Sequence, residues 1–454
     1  MNDIRLPKEL SDRLDMASAV LEQARSVKVR VISHYDADGI SSAAVLSIML
    51  RRLGLSFHVT MAQSLDARLL EGLNAENGKC FIFSDMGSGQ LELLEKLQCD
   101  VIVLDHHRAL GDSDRIIHIN PSMFGSNGTT DVSGATTCFL LAQHIDEGNW
   151  DAAVPALAGA HGDMQHLGGY RGLNADIIQG SMKRGIIAER KALQLQGETL
   201  SDSMLNSPEP YFRGLTGKAE IFRDYAGGLG IDPDVKYSSY SEEDIRKVAS
   251  ALMMTLASNG CDYENVSQLL STQYFQQKTG RSIAEIASLA NACGRTGNYG
   301  LGLAMELSDG KAVEEASGHR LEYNKAVVSR LNELEEGIEE MNNIQFFRSD
   351  DPSLAGALCG LYMAFIGRKD RPTFSYSLAG EVYKVSGRGT KSLVAGGLDL
   401  AESLSSSASK FGGHGGGHVI ASGATVPKEH LMDFLKSVDE ITGRQIKGAS
   451  ARSQ

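Results

Sequence analysis

VRVISHYDADGISSAAVL, residues 29–46, ends an apolar run in a histidine and two aspartates, then passes through a glycine into a helix-like segment. If the strand stays extended to its end, side chains at i, i+2 and i+4 share a face, so His34, Asp36 and Asp38 point the same way. Gly39 then allows a tight turn, and Ser41 or Ser42 caps the next helix. Three potential metal ligands thereby converge at the C-terminal edge of a strand, where open α/β sheets build their sites. The plain alternative is a solvated turn, since Asp-x-Asp-Gly is common in loops.

Two further strand-like runs end the same way: KCFIFSD closes on Asp85, and VIVLD closes on Asp105, followed by His106 and His107. A fourth stretch, AVPALAGAHGDMQHL, places Asp163 in an apolar helical context where an unpaired carboxylate is costly to bury and a cation would relieve the cost. Carboxylates and imidazoles without thiolate favour manganese, magnesium or iron-like ions over structural zinc. The candidates exceed what one ion needs. A bridging aspartate holding two cations about 3.5 to 4 Å apart around an attacking water suits phosphoester hydrolysis.

A chain of 454 residues is too long for one ordinary core and suggests two or three domains. With 42% hydrophobic and 22% charged residues the composition is that of a soluble globular protein. No run of about 18 apolar residues is present to span a bilayer, and the N-terminus MNDIRLPKELSDRLD lacks the cationic-then-apolar order of a secretory signal. The expectation is a cytoplasmic protein with no membrane association. The six cysteines lack CxxC spacing and read as small apolar residues in a reducing compartment. A net charge of -13 argues against a protein that coats duplex DNA through a broad basic surface. From residue 345 onward, however, 13 Lys and Arg stand against 10 Asp and Glu, so the C-terminal segment suits an anionic ligand beside an acidic body.

To about residue 120, the runs KVRVIS, LSFHVTMA, KCFIFSD, DVIVLD and RIIHIN alternate with helical patterns, the mark of βαβ units and a parallel sheet. A mostly helical region follows to about residue 340, and its last part, from about 326 to 343, reads as a long acidic connecting helix. A second, smaller α/β unit comprises TFSYSLAG, EVYKVSGRG, the helix-like LVAGGLDLAESLSSSASKF and the glycine-rich FGGHGGGHVIASGATV. The resulting expectation is a two-domain α/β fold: a metal-bearing parallel-sheet domain with a helical extension over 1–325, a connector over 326–345 and a substrate-binding domain over 346–454, with a cleft between the parts. GGHGGGH lets backbone amides approach a phosphate, with His414 and His418 as donors and Arg388 as a fork for phosphate oxygens. Arg295, in GRTGN, either touches nucleic acid or closes a turn. Ser133, Gly134 and Ala135 open another helix and offer amides to a phosphate or form a plain N-cap. If the helix around Asp163 continues, His166 shares its face and is a weak substrate contact, whereas His161 does not. His58, His118, His144, His319 and His430 are isolated and read as ordinary surface or core residues.

SHYDADG, FSDMG, LDHH and GAHGDMQ, in that order, resemble the four motifs of the DHH phosphoesterase superfamily, and GRG with GGGHVIASG resembles the DHH-associated substrate-binding domain. Length and domain order are similar to archaeal RecJ-like nucleases, including the GINS-associated nuclease, as is NACGRTGNYGLGLAMELSDG, residues 291–310. The resemblance implies that His34, Asp36 and Asp85 bind a first manganese, and that Asp38, Asp85, His106 and Asp163 bind a second, with Asp85 as the bridge and magnesium as the alternative ion. It implies that His107 contacts the scissile phosphate and that Asp105 orients an imidazole without ligating. Ser386, Arg388 and His418 match the substrate-binding pattern; His414, Gly416, Gly417 and Arg295 extend it. His34 stands where some bacterial RecJ proteins carry aspartate. The implied activity is a two-metal, single-strand-specific exonuclease acting on DNA or RNA to release 5′-mononucleotides, in replication, repair or RNA turnover. The favoured polarity is 5′ to 3′, with 3′ to 5′ as the alternative. The implied partner is a GINS replication complex; no residue pattern speaks to oligomeric state. Three other readings compete. An oligoribonuclease or cyclic-dinucleotide phosphodiesterase would share every motif. An inorganic pyrophosphatase would lack GGGHVIASG. A replication scaffold, like the nuclease-dead relative in the eukaryotic replicative helicase, would not need four intact metal motifs.

Overall fold

The computed structural model describes residues 4–76 and 79–450. The chain divides into two compact units that do not follow its linear order: Met1–Ala192 with Thr272–Arg320, and Leu193–Ser271 with Leu321–Gln454. The divisions therefore fall at residues 192, 271 and 320, and the helical region expected within the metal-bearing part is shared between the units.

All five expected apolar runs of the first unit form strands: β1 (Lys28–His34), β2 (Phe57–Ala62), β3 (Lys79–Ser84), β4 (Asp100–Leu104) and β5 (Ile117–Ile119). They make one sheet in the order β2-β1-β3-β4-β5, with every pairing parallel. Consecutive residues such as Phe81, Ile82 and Phe83, or Val101 to Leu104, are buried, because helices on both faces leave no side of a parallel strand to solvent. The strand order reverses between β1 and β3, which brings the C-terminal ends of β1, β3 and β4 to the switch point of the sheet.

The Ala37–Arg52 helix follows β1 and is buried along nearly its whole length. It packs against the Gly134–Ile145 and Ala153–Gly162 helices. A Cβ on Gly39 would lie 2.0 Å from the carbonyl oxygen of His34, so only glycine lets this helix start so close to the strand end. Of the expected helices, LDARLLEGLN forms Ala67–Asn74, while QLELLEKLQ is helical only over Leu91–Leu94. Two paired strands, β6 (Ile187–Leu193) and β7 (Leu270–Gln276), lie where the chain leaves and re-enters the first unit.

The second unit holds a six-stranded sheet of β8 (Glu339–Glu340), β9 (Gln345–Arg348), β10 (Thr373–Ala379), β11 (Val382–Arg388), β12 (His414–Gly417) and β13 (Ala421–Pro427). Its order is β12-β13-β11-β10-β9-β8, antiparallel except for β9 with β10. The Pro352–Phe365 helix covers one face, with Ser375 donating to the carbonyl of Ala355 at 2.8 Å. The Leu400–Lys410 helix covers the other, Leu404 approaching Gly387 and Gly415. The connecting helix runs Gly310–Leu334, earlier than the sequence pattern suggests, and part of the remaining acidic stretch pairs as β8. LVAGGLDLAESLSSSASKF breaks into Lys391–Ala395 and Leu400–Lys410 at Gly397, whose φ of 97° is open to glycine and few other residues.

Candidate metal centre

β1 ends at His34, so the extended-face argument stops there. Asp36 is the N-cap of the Ala37–Arg52 helix and accepts from the Gly39 amide at 3.0 Å, while Asp38 lies in the first helical turn. A strand and a helix start both bring residues 34, 36 and 38 to one place, so the convergence is present although its expected cause is not. Neither Ser41 nor Ser42 caps this helix; the Ser41 hydroxyl donates to Glu306 at 2.7 Å.

Asp85 follows β3 with a φ of 56°, a left-handed conformation uncommon outside glycine and better tolerated by aspartate than by bulkier side chains. Its amide still donates to Leu104 at 2.9 Å, continuing the β3–β4 ladder by one residue, and its side chain is buried. Oδ2 of Asp85 lies 3.4 Å from Nδ1 of His34, and Oδ1 lies 3.3 Å from Nε2 of His106. Asp85 thus stands between two sets. His34 Nδ1 is 3.0 Å from Asp36 on one side; on the other, His106 Nε2 is 3.7 Å from Asp38 and 3.3 Å from Asp163. The potential ligand atoms of His34, Asp36 and Asp85, and those of Asp38, His106 and Asp163, lie within 4.8 Å of one another in each set.

The loop after β4 fixes the imidazoles. Nδ1 of His106 donates to the carbonyl of Gly128 at 2.6 Å, which leaves Nε2 facing the three carboxylates. Asp105 accepts from the amides of Ser88, His106 and His107, and from Nδ1 of His107 at 2.8 Å. With its oxygens so engaged, Asp105 fits an orienting role towards His107, whose side chain is 42% exposed.

The helix start at Ser133 is the N-cap of the second expectation, with an addition neither expectation held. Ser133 and Thr136 form a reciprocal capping box, yet the amides of Gly134 and Ala135 and the hydroxyl of Ser133 also donate to Asp38 at 2.6 to 2.9 Å. The anion at this helix N-terminus is a side chain of the protein, so these amides are not open to a phosphate. Asp163 is likewise not in mid-helix: it is the C-cap of Ala153–Gly162. His161 and His166 therefore do not follow helical spacing; their rings stack 3.7 Å apart, and Nδ1 of His161 meets the Tyr170 hydroxyl at 3.2 Å.

Electrostatics follow from crowding four carboxylates around two imidazoles. Burial opposes a charged His34, but Asp36 and Asp85 outweigh it and push its pKa up to about 12. Burial, followed by Asp85 and Asp163, pushes Asp38 well above the usual carboxylate range. Burial holds Asp163 up at about 7 despite the attraction of His106. Asp105 is held far below the ordinary range: burial opposes this, but His107 and the Ser88 amide prevail. Three buried atoms at the centre, His34 Nδ1, Asp85 Oδ1 and His106 Nε2, have no well-directed hydrogen bond. Carboxylate oxygens and imidazole nitrogens crowded together, with these atoms left without a well-directed hydrogen bond, fit divalent cations, which remove the like-charge penalty and use the orphaned atoms as ligands.

The C-terminal candidates occupy the second unit. Ser386 pairs with Gly423, and Gly423 with Gly416, so these three residues form a row across β11, β13 and β12. Arg388 lies two residues further along β11, on the face of Ser386, with both side chains near Gly356. GGHGGGH is neither a linker nor a free loop: His414–Gly417 is an edge strand, and the His418 amide donates to Ala421 at 2.9 Å in the turn that follows. Gly416 has no atom within 4 Å of where a Cβ would stand, which leaves an open floor beside Ser386. Arg295 is in the first unit, where Nη1 donates to the Tyr35 hydroxyl at 3.2 Å.

Sequence reading missed Glu306, Tyr35, and the buried Ser88 and Asn120. Asn120 donates to the Ser88 hydroxyl at 2.9 Å and to the carbonyl of His107 at 2.8 Å, and so braces the histidine loop. An asparagine at the end of the RIIHIN run was the only available signal.

Residues 28–160 match the DHH family, N-terminal domain, and residues 355–444 match the DHHA1 domain. An uncharacterized protein of Methanocaldococcus jannaschii is 31% identical over 428 residues, 92% of this chain and 94% of that protein. Manganese-bound RecJ from Thermus thermophilus superposes with a TM-score of 0.61 at 19% identity over 95% of this chain; this chain spans 55% of that one. CDC45 from Entamoeba histolytica superposes with a TM-score of 0.66 at 15% identity, over 95% of this chain and 99% of that chain.

Proposed function

The chain belongs to the DHH superfamily of phosphoesterases, with a RecJ-like fold, and from that premise we propose that it is a two-metal exonuclease of single-stranded DNA or RNA. The observation that carries the reading is the meeting of two ligand sets at Asp85, one oxygen towards His34 and the other towards His106. His34, Asp36 and Asp85 would hold one ion, and Asp38, Asp85, His106 and Asp163 the other, manganese first and magnesium as the alternative. Such ions, when bound, supply an activated water and charge neutralisation for a phosphodiester. His107, held through Nδ1 by Asp105, would contact the scissile phosphate. In the second unit, Ser386, Arg388, His414 and His418, with the amides of Gly416 and Gly417, would grip phosphates of the substrate.

The test is digestion of a single-stranded oligonucleotide, made as DNA and as RNA and labelled separately at each end, with manganese and an Asp163→Ala control. Mononucleotide released from one end only, with a silent control, supports the reading and gives the polarity, for which 5′ to 3′ is favoured. No shortening of either polymer defeats it, and cleavage confined to substrates of two to five nucleotides replaces it with an oligonucleotide phosphodiesterase. The likeness in fold to CDC45 favours, as a second reading, docking to a GINS replication complex. Failure of purified GINS to co-elute with the protein removes that reading.

A further inference from the structure

The first unit places a half-buried tyrosine between two of the proposed metal ligands, and the metal chemistry gives it no task. Tyr35 separates His34 from Asp36, its ring 4.8 Å from the His34 ring in an edge-on arrangement. Tyr299 stands edge-on to it at 6.3 Å. The guanidinium of Arg295 lies 5.9 Å from the centre of the Tyr35 ring, and its Nη1 donates to the Tyr35 hydroxyl at 3.2 Å. This group is built into the backbone. A Cβ on Gly294 would stand 2.4 Å from the carbonyl oxygen of Tyr35, so the end of the Ile283–Arg295 helix is seated directly on the Tyr35–Asp36 segment. Nε of Arg295 is buried with no hydrogen-bond partner among the described residues, which leave that donor unused. Neither tyrosine is taken into the core; both keep part of their surface open beside the metal ligands.

We propose that Tyr35 and Tyr299, backed by Arg295, form a subsite that stacks the base of the nucleotide adjoining the scissile phosphodiester. The reasoning deepens the exonuclease reading and rests on it. A protein with a net charge of -13 gains little from general attraction to a polyanion, so its hold on a nucleic-acid strand near the acidic centre must come largely from contacts that do not depend on net charge. Flat rings beside the ligands provide one, because every base has a π-face and stacking on an aromatic side chain is worth about ten-fold or more in affinity. Arg295 adds a cation that can meet the phosphate next to that base. A subsite of this kind selects for nucleotides over other phosphodiesters without choosing among the four bases.

The experiment compares kcat/KM for oligothymidylate with that for the same oligomer carrying a tetrahydrofuran abasic residue at the terminal or penultimate position. The intact protein is expected to favour the base-bearing substrate about ten-fold or more. Tyr35→Leu, which keeps apolar bulk but not a flat ring, is expected to bring the ratio near one, mainly through KM. Tyr35→Phe keeps the ratio, and Tyr299→Leu lowers it in part. Tyr263→Ala, at a residue 83% exposed in the second unit, is the control and leaves it unchanged. A ratio near one for the intact protein, or a full ratio in Tyr35→Leu, overturns the proposal. If Tyr35→Leu fails to fold, judged by manganese binding in a calorimeter, Tyr299→Leu carries the same test. If the intact protein cleaves neither substrate, the exonuclease reading falls. Stacking is then read separately from the quenching of a 2-aminopurine oligonucleotide: quenching lost in Tyr299→Leu supports the subsite, and no quenching by the intact protein overturns it.

Discussion

Replacing Glu306 by glutamine should stabilise the protein at alkaline pH and leave it nearly unchanged in mild acid. Glu306 ends the Tyr299–Glu306 helix and is 8% exposed; Oε1 accepts from the Ser41 hydroxyl at 2.7 Å, while Oε2 is buried with no hydrogen-bond partner among the described residues. Burial holds this carboxyl up at about 8 against an ordinary value of 4.5, with the Ser41 hydroxyl pulling the other way. Because the folded value is the higher one, the folded state keeps a proton that the unfolded chain releases. Its contribution is fully present below pH 4.5 and is lost as pH rises towards 8. At about 1.4 kcal/mol per pH unit, the interval from 4.5 to about 8 corresponds to a loss of about 4 to 5 kcal/mol above pH 8. Glutamine still accepts from Ser41 and cannot ionise. Urea unfolding in the presence of a chelator, followed by the fluorescence of Trp150, reports this directly, since Trp150 is the one tryptophan and is buried in the core of the first unit. The variant should lie within about 1 kcal/mol of the parent at pH 5 and gain about 4 kcal/mol on it by pH 9. A difference between the two proteins that is the same at pH 5 and pH 9 would refute the reasoning.

Other outcomes follow from the metal centre. Gly134→Ala would place a Cβ 2.6 Å from Cβ of Asp85 and 2.9 Å from its Oδ1, displacing the proposed bridge. Manganese affinity measured by calorimetry should fall at least about ten-fold, and an unchanged affinity would remove Asp85 from the ligand set. Asp105→Asn takes a charged acceptor from His107 and from three amides, so hydrolysis should fall about 10- to 100-fold while the protein still binds manganese. Ser133→Ala deletes one of three donors to buried Asp38 and should cost about 1 to 3 kcal/mol in urea melts. Asp163, held near 7 by burial, and Asp38, also raised, must give up protons to ligate, so metal affinity rises with pH through that range. At a fixed manganese concentration the gain in Tm should be larger at pH 8 than at pH 5.5, approaching about 2.7 kcal/mol of stabilisation at a hundred times Kd. An equal gain at both values would contradict the protonated resting state.

How much of this was legible in the sequence depends on the range of the interaction. Apolar runs that stop at Asp85 and Asp105 are local, and the strands with their terminal carboxylates stood out for that reason. Residues 34, 36 and 38 were legible as a group but not in their cause, because an extended end and a strand-to-helix junction share that spacing. The partners of Asp38 lie 95 to 97 positions away, and the Ser41–Glu306 pair spans 265, separations at which no periodicity carries information. Segment 193–271 could not be assigned to the second unit, since an amphipathic helix shows which face it buries and not against what.

The glycines near the site show how far a correct pattern can be from its physical reason. Gly134 opens a helix as a phosphate-binding glycine would, and Gly159 lies in an apolar helix where glycine costs stability relative to alanine. In the structure a Cβ at Gly159 would fall 2.3 Å from Oδ1 of Asp38, and one at Gly134 would fall against Asp85. Bringing four carboxylates and two imidazoles within ligating distance requires the Gly134–Ile145 and Ala153–Gly162 helices to approach until no side chain fits between. The glycines make room for the protein's own anions, which is why the amides at 134 and 135 are already bonded to Asp38. On the proposed reading a phosphate would therefore have to be met by groups other than these amides, and the Nε of Arg295, buried with no hydrogen-bond partner among the described residues, is such a group.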